Sequence, residues 1–153
     1  MAHIHELIDW CVGAYIVHNN KVLIRLHEKY GVWVHVGGHV ELDENPITAI
    51  KRECLEEVGL AIAIHGEDVL EQTTDAIENT ELPPPAHMNI HRINDTHEHI
   101  DLIYYATSTS DKVVPENDTD QWVWLTEQEV KNHPDMSEKI KSYALGALAT
   151  LTT

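Results

Sequence analysis

The chain has 153 residues and a formal charge of −16 with histidine neutral, which is length enough for one domain with a real core. So negative a balance excludes the basic surface that a nucleic-acid polymer needs, but it leaves open a small phosphorylated ligand whose bound cations reverse the local sign. No apolar run is long enough to span a bilayer, the start Met1 to His5 lacks the features of a signal peptide, and Cys11 and Cys54 suggest no disulfide framework; a cytoplasmic protein is the expectation.

In chain order, Trp10 to Val17 and Lys21 to His27 read as strands split by the turn signal His18-Asn19-Asn20. Val32 to Val36 is another β-rich run. A helix follows, capped by Asp43 or Asn45, with Pro46 in its first turn and Gly59 as a left-handed C-terminal cap. Leu60 to Ile64 resumes strand character, with an extension through Val69 to Gln72. Residues 73 to 87 are polar, then carry Pro83-Pro84-Pro85, and read as a surface loop. Ile100 to Thr107 is a strong strand and Trp122 to Leu125 a short one. Thr126 and Glu129 form a capping-box pattern ahead of a short helix, and Ser137 caps a final helix ending near Leu151. With no repeat and no second domain in view, residues 1–153 read as a single domain of mixed α+β class.

The helix after Pro46 carries the chemistry. At about 100° per residue, Glu53, Glu56 and Glu57 share one face, while Ile47, Ile50, Cys54 and Val58 form a neighbouring face that should pack on a sheet. Three carboxylates so placed repel one another, and they sit at the end of the helix where its dipole disfavours negative charge. A structural helix gains nothing from this; a divalent cation turns the repulsion into attraction. The donors are hard oxygens, which favours Mg²⁺ or Mn²⁺. The alternative is a solvated acidic helix face. Gly37 and Gly38, just before the helix, can turn sharply and offer a backbone carbonyl to a metal.

From Gly38 to Leu60 the chain reads G-x5-E-x7-R-E-U-x-E-E-x-G-U, with U a bulky aliphatic position that Cys54 fills as a small hydrophobe. This stretch resembles the Nudix box, the signature of hydrolases that cleave nucleoside diphosphates linked to another group. The resemblance implies the Nudix fold, a mixed sheet between helices, and a pyrophosphohydrolase. It implies metal binding by Glu53, Glu56, Glu57 and the Gly37 carbonyl, with Glu53 also orienting or deprotonating the attacking water. Arg52 and Glu44 take the place of partners that hold Glu53. Val36 stands where a proline is usual, which alters the loop's stiffness but removes no ligand. Many Nudix enzymes add a further loop glutamate beside the metals, and Glu98 is the candidate, its substitution by Gln being expected to lower turnover.

Outside the box, His97 and His99 should share one strand face with Glu98 opposite. Together with His87 and His91 they make a histidine-dense segment with three readings: contact with the substrate's phosphates or base, a separate transition-metal site, or exposed strand and loop residues. His3 and His5 read as tail residues. Trp33, Trp122 and Trp124 could stack on a base or pack in the core, with Trp122 and Trp124 on one side of their strand. Arg25, Tyr30 and His39 are the candidates for substrate contact.

The reaction so implied is attack of water on a phosphoanhydride phosphorus. The expected substrate is a (deoxy)nucleoside triphosphate, giving a nucleoside monophosphate and pyrophosphate; neither the proline that tends to mark ADP-ribose enzymes nor the tyrosine of dinucleoside polyphosphate enzymes occurs around Asp75 to Glu78. Nucleotide sugars and ADP-ribose-type compounds are the alternatives within the class. A non-catalytic nucleotide-binding module is the alternative outside it, though such modules usually lose the box glutamates retained here. A third class, a structural metal protein using the histidines, predicts retained zinc and no hydrolysis. The partner expected is the small nucleotide, without nucleic acid or membrane, and a homodimer is compatible with the resemblance.

Overall fold

The computed structural model describes residues 7–27, 29–69, 73–74 and 78–152, with the backbone alone at 69, 73, 74 and 78. The strand β1 (Ile8–His18) turns into β2 (Lys21–His27) through Asn19 and Asn20, both left-handed at φ 46° and 60°. That pair of positive φ values is the two-residue hairpin whose twist matches the strands, and asparagine tolerates it better than most residues. Then come β3 (Val32–Val34), β4 (Val36–His39), helix α1 (Pro46–Val58), β5 (Ile62–Ile64) and a 3-10 turn at Glu67–Val69. The short pair β6 (Thr73–Thr74) and β7 (Glu78–Asn79) precedes β8 (His87–Asn94) and β9 (His97–Ser108). The chain closes with β10 (Gln121–Thr126), α2 (Glu127–Lys131) and α3 (Glu138–Thr150).

Eight strands form one mixed sheet along β10-β2-β1-β9-β5, with β3 on β2, β4 on β1 and β8 on β9. β1 and β9 run parallel over ten paired positions, from Ile8↔Glu98 to Val17↔Thr107, and the other ladders are antiparallel. Alternation along β1 sorts the core into two layers. Val12, Ala14 and Ile16 pack with Ile50, Cys54 and Val58 of α1, whereas Tyr15 and Val17 pack with Ala144, Ala147 and Leu148 of α3. The mixed sheet between helices is the α+β fold expected from the motif.

The caps form where their residue types allow. The Asn45 side chain accepts from the backbone N–H groups of Ile47 and Thr48, Pro46 opens α1, and Gly59 closes it at φ 68°. Thr126 and Glu129 make a reciprocal capping box on α2, and Ser137 caps α3. The extension after β5 differs from expectation: Glu67–Val69 is a 3-10 turn, in which Glu67 accepts from the Ile64 N–H and from Lys51, and residues 70–72 lie outside the described part. The loop expected over 73–87 instead begins as a two-residue ladder, Thr73↔Asn79 and Thr74↔Glu78. Among the described residues no helix is long and apolar enough to cross a membrane.

Candidate active site

The site forms where α1 crosses β4. Its hub is Arg52, which donates to Glu44 in a two-point pair (Nε to Oε2 3.0 Å, Nη2 to Oε1 2.6 Å). Nη1 reaches Glu53 Oε1 at 2.9 Å and Glu56 Oε2 at 3.1 Å, and Nη2 also donates to the His39 carbonyl at 3.0 Å. A planar guanidinium with five donors suits this better than a lysine could. Arg52 thereby ties the helix to the end of β4 and fixes Glu53, which is only 4 % exposed. The Arg52 bond holds the Glu44 carboxyl below its ordinary range. Burial pushes Glu53 the other way, against Arg52, so it is a better proton acceptor than an exposed glutamate.

Glu57 sits one turn on. The Gly37 N–H donates to its Oε2 at 3.2 Å, and Arg25 Nη1 stands 3.7 Å from Oε1. Burial nevertheless pushes its carboxyl up to about 7; Gly37 and Arg25 oppose the rise while Glu53 and Glu116 add to it. Arg25 is shared: its Nη2 donates to Asp120 at 2.8 Å and its guanidinium lies over the Trp122 ring. Counting Glu44, Glu53, Glu56, Glu57 and Asp120 against Arg25 and Arg52, the cluster has three more carboxylates than guanidinium groups. Burial of excess negative charge in an all-oxygen donor set fits a hard divalent cation. Glu53, Glu57 and the Gly37 carbonyl would hold it from the buried side, and the more exposed Glu56 from the solvent side.

Gly37 and Gly38 are glycines for a different reason than a turn. Both lie in extended β4, paired with Gly13 and Val12 of β1, and neither has a positive φ. A Cβ on Gly37 would run into the Val12 carbonyl oxygen, and one on Gly38 into the Glu53 carboxylate. The pair lets α1 press its carboxylates onto the strand.

A cleft of about 490 Å³ opens beside this cluster, lined by Arg25, Gly37, Gly38, His39 and Glu57 together with Cys11, His35, His99 and Asp101. Most of the residues singled out in the sequence therefore meet. Two do not. Tyr30 is 65 % exposed in the turn after β2, with its ring against His27 and Lys29. Glu98 lies near the start of β9, paired with Ile8 and Arg92, and no described contact joins it to the box. Besides Asp120, the fold brings Glu116 to the box: its N–H donates to the Glu57 carbonyl at 3.0 Å and its charge raises Glu57. Nothing in the residues around Glu116 marks it; the fold brings it there. The tryptophans pack: Trp122 and Trp124 on the α1 side, Trp33 on the other, and none lines the cleft.

A model of the NUDIX domain matches residues 9–145. The chain belongs to the NUDIX family. A Nudix-family hydrolase from Clostridium perfringens is 31 % identical, with 93 % of this chain and 97 % of that one covered and a TM-score of 0.79. The MutT protein of Methanosarcina mazei (14 % identity, 98 % and 99 % covered, TM-score 0.66) and a Caenorhabditis elegans Ap4A hydrolase (18 %, 94 % and 99 %, 0.65) share the fold. A comparison with curated protein sequences gave no match. The protein is thus a Nudix pyrophosphohydrolase, of a family that acts on nucleoside diphosphate-linked compounds and generally uses a divalent metal.

One consequence is measurable without substrate. Glu57 moves from an ordinary value of 4.5 to about 7 on folding, so its contribution favours the fold fully below about 4.5 and is lost as pH rises through about 7. At about 1.4 kcal/mol per unit, up to about 3 kcal/mol is at stake. Mg²⁺ should therefore raise the melting temperature more near pH 8 than near pH 5, as differential scanning calorimetry would record.

Proposed function

We propose that the protein hydrolyses a (deoxy)nucleoside triphosphate to the monophosphate and pyrophosphate, with residues 1–153 acting as one catalytic domain. The carrying observation is the buried Glu53, held by Arg52 one helical turn from Glu57, whose carboxylate accepts from the Gly37 N–H on the wall of the cleft. A bound Mg²⁺ or Mn²⁺ supplies charge neutralisation at the phosphate oxygens and a more acidic water. Arg52 and Glu44 keep Glu53 in one rotamer, and Glu53 takes the proton of the attacking water as the phosphorus–oxygen bond to the leaving group breaks. Arg25, on the cleft wall between Glu57 and Asp120, meets a phosphate, and His39 contacts the rest of the substrate.

Glu116 takes the role of the additional acidic residue in place of Glu98. Glu116→Gln should lower kcat about tenfold or more, whereas Glu98→Gln stays near the wild-type rate; steady-state kinetics on both variants decides, and the reverse order would restore Glu98.

The substrate is tested by a panel with Mg²⁺: canonical and oxidised nucleoside triphosphates, ADP-ribose, nucleotide sugars and dinucleoside polyphosphates, with products identified by mass. Preferred cleavage of a triphosphate supports the proposal. Preference for a nucleotide sugar or ADP-ribose keeps the site and replaces the substrate, and nucleotide binding without hydrolysis would mean a non-catalytic module.

A further inference from the structure

On β1, β4 and β9 the chain gathers a second set of ligand atoms that the phosphate chemistry does not use. Asp9, 1 % exposed, directs Oδ2 toward three imidazoles: His97 Nε2 at 3.0 Å, His39 Nε2 at 3.2 Å and His99 Nε2 at 3.9 Å. The ligand atoms of Asp9, His97 and His99 all lie within 4.8 Å of one another, as do those of Cys11, His39 and His99. Parallel pairing of Asp9 with His99 places the β1 and β9 residues, and Cys11↔His39 places β4. The site is largely buried, with His97 5 % exposed and the side chains of His39 and His99 at 13 % and 15 %.

We infer that this cluster is a binding site for one transition-metal ion of the zinc class, held by Asp9, His97 and His99. Imidazole nitrogens with a single carboxylate select Zn²⁺ and its neighbours over Mg²⁺. Around a tetrahedral zinc with bonds of about 2.0–2.1 Å, neighbouring donor atoms stand about 3.3 Å apart; the distances from Asp9 Oδ2 to His97 and His99 bracket that spacing. An ion there would clamp β1 against β9. Because β1 also pairs with β4, the clamp would steady the strand that carries Gly37.

The test uses the untagged full chain, stripped with a chelator, then given Zn²⁺ and passed over a desalting column for metal analysis. Wild type and the Glu53→Gln/Glu57→Gln variant should each retain one zinc per chain, and His97→Gln/His99→Gln should retain none while keeping its circular dichroism. If that pair fails to fold, the single change His99→Gln on a partly exposed side chain should still abolish the rise in melting temperature that Zn²⁺ gives the wild type. Co²⁺ in place of Zn²⁺ should give the strong visible bands of a four-coordinate nitrogen and oxygen site. The inference is overturned if the wild type retains no zinc, if the histidine changes leave retention intact, or if retention is lost with the glutamates instead.

Discussion

Glu57→Gln is expected to lower kcat by two to three orders of magnitude while making the metal-free protein more stable above neutral pH. Both effects follow from one carboxylate. In catalysis it is a proposed metal ligand, and a metal's stabilisation of transition-state charge is worth several kcal/mol, each 1.4 kcal/mol being about tenfold in rate. In folding it is a carboxylate raised to about 7 by burial, with Glu53 and Glu116 adding to the rise. The amide keeps the shape and can still accept from the Gly37 N–H, so the charge alone is lost. Kinetics and thermal melts on the same preparation test the pair of effects. Near-normal kcat would remove Glu57 from the site, and an unchanged or lower metal-free stability near pH 8 would mean that the burial penalty is not expressed in the fold.

Gly37→Ala carries the second large effect. Its methyl group would collide with the Val12 carbonyl oxygen, a backbone atom of a central strand that pairs on both sides, with β4 and with β9. Val12 cannot give way without disturbing both ladders, so β4 must move instead. Overpacking of this kind costs about 1–3 kcal/mol, and it displaces the carbonyl proposed as a metal ligand together with the N–H that holds Glu57. Denaturant melts should show the loss, and Mg²⁺ titration should show weaker binding than in the wild type. Gly38→Ala differs in mechanism, because its methyl meets the Glu53 side chain rather than backbone; it should lower activity more than stability.

The local signals in the sequence were sound where the structure answers to local rules. The helix from Pro46 to Val58 could be placed from Asn45, Pro46 and Gly59 because caps are read by the residues themselves. Likewise β2, the Asn19-Asn20 turn and the Thr126 capping box depend on a few adjacent residues. What was illegible depends on pairing across long separations. β8 carries Met88, Ile90 and Ile93 exposed beside polar neighbours, so it offers no buried face to recognise and exists because β9 supplies its ladder. The Gly37-Gly38 pair suggests a turn in isolation; only the approach of Val12 and Glu53 shows that it is extended strand. Glu98 and Glu116 are equally unremarkable in sequence, and it is the path of the loop from β9 to β10 that brings Glu116 beside Glu57. The histidines of 97–99 could be seen as unusual, but Asp9, 88 residues away from His97, is joined to them only by the parallel ladder.

The most direct test of the catalytic account is a Mg²⁺ titration of nucleoside triphosphate hydrolysis in the wild type and in Glu53→Gln/Glu57→Gln, with products identified by mass. The wild type should form nucleoside monophosphate and pyrophosphate in proportion to bound Mg²⁺, and the variant should form neither above background. Equal hydrolysis by both proteins, or hydrolysis that ignores Mg²⁺, would contradict a reaction centred on the carboxylates of α1.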